Sequence, residues 1–120
     1  MNTTVSFELA KLLKEAGFDE PCLDNYYSDG TIFSDDVKNS EIEFNEYSAP
    51  TIADVVMWIY DKYGVWIVVN ITINDNWYFE LYDTTSKIKA EIKVKTNFCK
   101  SPSESYEAAI KYCLTEIIKP

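Results

Sequence analysis

The chain predicts an α+β domain in which three helices pack on an antiparallel sheet containing a three-stranded meander, over about residues 65–95. Two observations carry that expectation. Three stretches place apolar residues at helical spacing between recognisable start and stop signals, and from Gly64 to Thr96 the apolar period changes to two. A length of 120 residues with 47% hydrophobic content suits one core, hence a single domain over residues 1–120. The expected order is α-β-β(-β)-α-β-β-β-α, with the bracketed strand in the least regular stretch.

The first helix should begin near Thr3 or Thr4, put Val5, Leu9, Leu12, Leu13 and Ala16 on one stripe, and stop at Gly17. The second opens after Pro50 with Thr51, whose hydroxyl can accept the amide near Asp54. It carries Ile52, Val55, Val56, Ile59 and Tyr63 on one face and ends at Gly64. The third starts at Ser101-Pro102-Ser103-Glu104, a cap followed by a proline and then a carboxylate in the first turn. Its stripe is Tyr106, Ala109, Ile110, Cys113, Leu114 and Ile117.

Between the first two helices, Cys22 to Tyr27 and Thr31 to Phe33 flank Ser28-Asp29-Gly30 as a hairpin, and the alternation of Glu41 and Glu43 with Ile42 and Phe44 predicts a further strand. In the meander, Val65, Ile67, Val69, Ile71 and Ile73 share one face. A three-residue loop Asn74-Asp75-Asn76 would set Ile73 opposite Trp77, Ile71 opposite Phe79 and Val69 opposite Leu81, keeping apolar rows together. After a turn at Asp83-Thr84-Thr85-Ser86, Leu81 should pair with Ile88, Phe79 with Ala90 and Trp77 with Ile92, with Glu80 beside Lys89 and Tyr82 beside Lys87.

Composition excludes much chemistry. His, Arg and Gln are absent, and 20 acids against 11 lysines leave a formal net charge of −9. Without histidine, no Cys or Ser has the usual general base, and without arginine the common fork for phosphate is missing. Gly17, Gly30 and Gly64 lie too far apart for a phosphate-binding loop. Cys22, Cys99 and Cys113 are odd in number and widely spaced, which predicts free thiols rather than a disulfide framework or zinc site. Asn25 to Asp36 loosely matches a calcium loop, but Tyr27 and Asp36 stand where oxygen-rich ligands are needed, so a polar hairpin turn is expected. No apolar run approaches the roughly 18 residues of a membrane span, and the N-terminus lacks signal-peptide character. The expectation is a cytoplasmic, non-enzymatic protein with no cofactor, metal or catalytic residue assigned. A carboxylate-dependent enzyme built on pairs such as Asp35-Asp36 or Glu41 and Glu43 is the alternative.

Charge is uneven: residues 1–61 hold 13 acids and three lysines, whereas residues 62–120 hold seven acids and eight lysines. The densest acidity runs from Asp19 to Glu46. The outward face of the meander combines Trp66, Tyr78 and Tyr82 with Lys87, Lys89, Lys93 and Lys95, among Glu80 and Glu91. Trp66, Tyr78, Tyr82, Lys87 and Lys89 are therefore the candidate interaction surface. A protein partner is expected on that face or on the acidic segment over residues 19–46, a second copy of the chain included. Nucleic acid is the less favoured occupant, as a single strand on that face or through phosphate imitation by the acidic half.

Ala49-Pro50-Thr51 leading into Val55-Val56-Met57-Trp58-Ile59-Tyr60 and Tyr63-Gly64-Val65-Trp66, followed by residues Ser101 to Ile110, resembles a group of small uncharacterised proteins. These are carried by phages and mobile elements of gut bacteria in the Bacteroides group. The resemblance covers most of the chain and implies an accessory or phage-encoded protein, with no activity or site to transfer.

Overall fold

Among the described residues, a hydroxyl side chain opens each α-helix. Ser6 Oγ accepts from the Leu9 N–H (3.2 Å) to start α1 (Phe7–Glu15), Thr51 Oγ1 from the Asp54 N–H (3.2 Å) to start α2 (Ile52–Tyr63), and Ser101 Oγ from the Glu104 N–H (3.2 Å) to start α3 (Pro102–Tyr112). The second and third caps are those the sequence predicts. The first lies further along than Thr3 or Thr4, because those residues join another element: Thr4 bridges Thr51, and the Thr3 carbonyl accepts from the Ile52 N–H (2.8 Å). Val5 is buried ahead of the helix rather than within it.

The protein's computed structural model describes residues 3–85, 90–92 and 98–118. Between α1 and α2 lie β1 (Cys22–Tyr26), β2 (Ile32–Val37) and β3 (Tyr47–Ser48); between α2 and α3 lie β4 (Val65–Ile71), β5 (Trp77–Asp83) and β6 (Ala90–Ile92). All pairings are antiparallel, so the class and element order are as expected, with the strands shared between two sheets of order β2-β1-β3 and β4-β5-β6. A π-type turn over Cys113–Ile117 follows α3.

The β1–β2 hairpin turns where expected. The Asp29 carboxylate accepts from both the Thr31 N–H (3.0 Å) and the Thr31 hydroxyl (2.6 Å), so the calcium-like stretch forms a polar turn between strands. The strand expected at Glu41 to Phe44 does not form. The Lys14 ammonium draws in the carbonyls of Glu43 (2.9 Å), Phe44 (3.3 Å) and Glu46 (2.8 Å), while Glu41 and Glu46 carboxylates accept from the Lys38 and Glu43 N–H groups (2.9 and 3.1 Å). Backbone groups so engaged cannot build a ladder. The third strand of this sheet is instead Tyr47–Ser48.

Five residues, Thr72 to Asn76, join β4 to β5, and their tip is Ile73-Asn74-Asp75, one step earlier than the predicted three-residue loop. The Thr72 N–H donates to the Asn76 carbonyl (2.8 Å), Thr72 O and Oγ1 accept from the Asp75 and Asn76 N–H groups (3.1 and 3.2 Å), and Asp75 takes a left-handed φ of 60°. Ile67 therefore faces Leu81, Val69 faces Phe79 and Ile71 faces Trp77. The apolar rows stay matched, while Ile73 stands 97% exposed at the loop instead of opposite Trp77.

The β5–β6 register also corrects the expectation. Leu81 pairs with Ile92, Tyr82 with Glu91 and Asp83 with Ala90, whereas Trp77 bridges Cys99. The chain does not turn back at Asp83 because Thr84 donates to the Gly64 carbonyl through its N–H (2.8 Å) and hydroxyl (2.7 Å), extending the β5 path alongside the end of α2. The expected neighbours of Tyr82 and Glu80, Lys87 and Lys89, lie outside the described residues, as does Ile88.

Ile67, Phe79 and Leu81 are buried with Ile59, Ile110, Cys113 and Leu114 in one core. α3 packs across β4 and β5, α2 packs on β4, and α1 packs on β3 and α3. Glu107 of α3 clamps the start of α1, accepting from the Ser6 N–H (2.8 Å) and hydroxyl (2.7 Å). At Gly64, the left-handed φ of 70° is one that side chains resist, and a Cβ would collide with the Thr85 methyl. Gly64→Ala should therefore lower stability by about 1–3 kcal/mol in urea unfolding. An unchanged midpoint would show that this junction does not set the α2–β4 geometry.

Candidate functional site

The α2–β4 junction brings a helix flank beside an open sheet face. Along β4 and β5, side chains alternate, so Trp66, Val68 and Asn70, with Tyr78, Glu80 and Tyr82, point away from the buried row. Trp66 stands opposite Tyr82, and the Tyr60 ring of α2 meets the Trp66 indole edge to face at 5.3 Å. The result is a groove of about 570 Å³ lined by Met57, Tyr60, Trp66, Val68, Tyr82 and Thr84. Met57, Tyr60 and Trp66 remain 46%, 39% and 38% exposed.

A polar network fixes the middle of this face. The Glu80 carboxylate accepts from the Tyr82 hydroxyl (2.6 Å) and the Asn70 side-chain amide (3.1 Å), which orients the Tyr82 ring beside Trp66. Of the five residues expected to act together, Trp66 and Tyr82 do meet. Tyr78 shares the face but lies towards its other end, opposite Asn70, with its ring 6.3 Å from Phe98. Lys87 and Lys89 fall outside the described residues. Met57, Tyr60, Val68 and Thr84 were not anticipated. The signal for the first two was available: Met57 and Tyr60 are three positions apart on α2, off the buried stripe of Ile52, Val55, Val56 and Ile59.

On the other flank of α2 lies a second cleft of about 740 Å³. Trp58 and Phe18 form an apolar wall, their rings edge to face at 5.1 Å, and Asp19, Glu20, Asp54 and Asp61 bring carboxylates to the same cleft. Lys62 Nζ lies 5.3 Å from the Trp58 ring, and Met57 lines this cleft as well as the groove. Hydrogen bonding from Ser40, whose N–H donates at 2.8 Å, holds the Asp19 carboxyl below its usual range. Cys22 reaches the cleft, but burial first and the Asp54 charge second push its thiol up to about 11. Burial drives Cys113 up to about 12 and also raises Cys99.

None of the three cysteines forms a disulfide. Among the described residues, no group of three or more Cys, Asp or Glu side chains could hold a metal ion, and no helix is long and apolar enough to cross a membrane. No family model matches the chain, and neither the curated proteins nor the solved structures contain a significant match.

Raised thiol pKa and burial together suppress thiolate chemistry. In native protein at about pH 8, a maleimide should modify Cys99 ahead of Cys22 and Cys113, all three reacting once unfolded, because an ordinary thiol titrates near 8.5. Mass spectrometry of the labelled peptides checks this, and labelling of Cys22 at the rate of a free thiol would contradict its placement.

Proposed function

We propose that this chain is a non-enzymatic interaction protein, an accessory factor of a phage or mobile element acting in the cytoplasm. It binds a protein segment in the groove between α2 and the outer face of β4–β5. The observation that carries this is the exposed apolar groove itself, in which aromatic and thioether side chains stand on a helix and two paired strands rather than on loops. The rigid aromatic rings of Tyr60, Trp66 and Tyr82 can anchor a partner at low entropic cost, and the flexible Met57 adapts to it.

The surroundings favour one partner chemistry. Met57 links the groove to the cleft bearing Asp54 and Asp61, so the segment that fits places an apolar side chain against Trp66 and Tyr82, with Lys or Arg reaching the carboxylates. Glu80 on the same sheet face and the net charge of −9 favour such a segment over phosphate-bearing nucleic acid.

Selection of a displayed peptide library on the immobilised protein, followed by calorimetry, tests this. Enriched peptides should combine aromatic or aliphatic residues with Lys or Arg. The Trp66→Ala, Tyr82→Ala double variant should bind them at least about tenfold more weakly, the scale of a lost hot spot. Binding that survives the double variant, or a labelled single-stranded oligonucleotide bound at low salt, would overturn the proposal.

A further inference from the structure

The row of side chains with which β4 and β5 build the core does not end where its burial ends. Along this inner face Ile67, Phe79 and Leu81 are buried, Val69 and Trp77 are half-buried, and Ile71 is 48% exposed. Beyond them Ile73 stands 97% exposed at the hairpin tip. Single exposed apolar side chains are ordinary, but these follow one another along one hairpin and run into the core: Ile71 pairs with Trp77, and Val69 with the buried Phe79. The same face that α2 and α3 close at one end of the hairpin is open at the other.

We infer that the hairpin ends of two copies pack inner face to inner face about a two-fold axis near Ile71, so that each copy's Ile73 covers the half-buried Val69 and Trp77 of the other. Packed sheets lie about 10 Å apart, close to the diameter of a helix, so the second copy's hairpin fills the layer that α2 and α3 occupy further along the strands. A patch that meets itself about a two-fold axis closes after two copies.

Charge selects a second copy over other occupants. From Val65 to Phe79 the only charged residue is Asp75, in a chain of net charge −9. Two such chains repel each other, and association is least opposed where the contact itself holds few charges. A basic segment of the kind that suits the groove meets one carboxylate here, against the four of Asp19, Glu20, Asp54 and Asp61 at the cleft. Few side chains take part compared with the about 20–30 residues per side of a standard interface, so the association is weak and reversible. The groove lies on the opposite face of the same strands, and the inference stands apart from the proposed partner.

Sedimentation equilibrium of the full chain, from about 1 μM to about 1 mM, tests this. The average mass should rise with concentration from 13.9 kDa toward twice that value. Ile73→Asp should weaken the association at least about tenfold, the scale of a lost hot spot. It should leave the urea midpoint of the dilute chain unchanged, because the side chain it replaces is almost wholly exposed within its own copy. The Trp66→Ala, Tyr82→Ala double variant, altered on the opposite face, should lose peptide binding and keep the association. A mass that stays single, growth beyond two chains, or an Ile73→Asp variant that associates like the unaltered chain would overturn the inference. Loss of association in the groove double variant would place the contact in the groove and overturn it too. A chain that stays single and instead floats with phosphatidylcholine vesicles would assign the hairpin end to lipid, with the same consequence.

Discussion

Burial of one face of the β4–β5 hairpin is the constraint on which the rest of the structure depends. Ile67, Phe79 and Leu81 must leave water together, and a sheet this small can achieve that only if helices cover the same side. α3 lies across both strands, α2 covers β4, and α1 is tied to α3 by the Glu107–Ser6 clamp and the 2.9 Å Lys111–Glu8 pair. That surface pair is worth little by itself, but the clamp adds two hydrogen bonds to a carboxylate at a helix cap. With α2 and α3 committed to one side, the opposite face of β4–β5 is left to solvent. The open surface is a consequence of how the core is closed.

Parity explains why so much of this hairpin was legible in the sequence. The β4–β5 register lies two residues from the expected one and the β5–β6 register four, yet both displacements are even. Side chains alternate with a period of two, so an even displacement changes partners without changing faces. Helix starts were legible for a different reason: a hydroxyl three residues before an unpaired N–H is a local interaction, and Thr51 and Ser101 needed no tertiary information to be recognised. Ser6 was missed because its competitors Thr3 and Thr4 are removed from capping by their long-range pairing to Ile52 and Thr51.

The stretch from Glu41 to Glu46 shows the limit of periodicity. Its alternation of acids with Ile42 and Phe44 satisfies a strand pattern, but the segment folds around the ammonium of Lys14, about thirty residues earlier in sequence. Nothing local announces that contact. The groove was half visible in the same sense: Trp66 and Tyr82 follow from strand alternation, whereas Met57 and Tyr60 join them only because Gly64 and Thr84 fold α2 back beside β4.

α2 also joins the two halves of an uneven charge distribution. Asp54 and Asp61 on its exposed flank meet Asp19 and Glu20 from the acidic first half, and its Tyr60 meets Trp66 from the nearly neutral second half. Asp19, Glu20, Asp54 and Asp61 are all exposed to solvent, so they act as a cluster of like charges at the cleft whose field salt screens over about 8 Å at physiological ionic strength. The aromatic groove beside them contributes apolar contact and shape but little long-range force. Orientation and approach thus fall to one flank of the helix and adhesion to the other, with Met57 at the boundary, and the salt dependence of association should belong to the acidic flank alone.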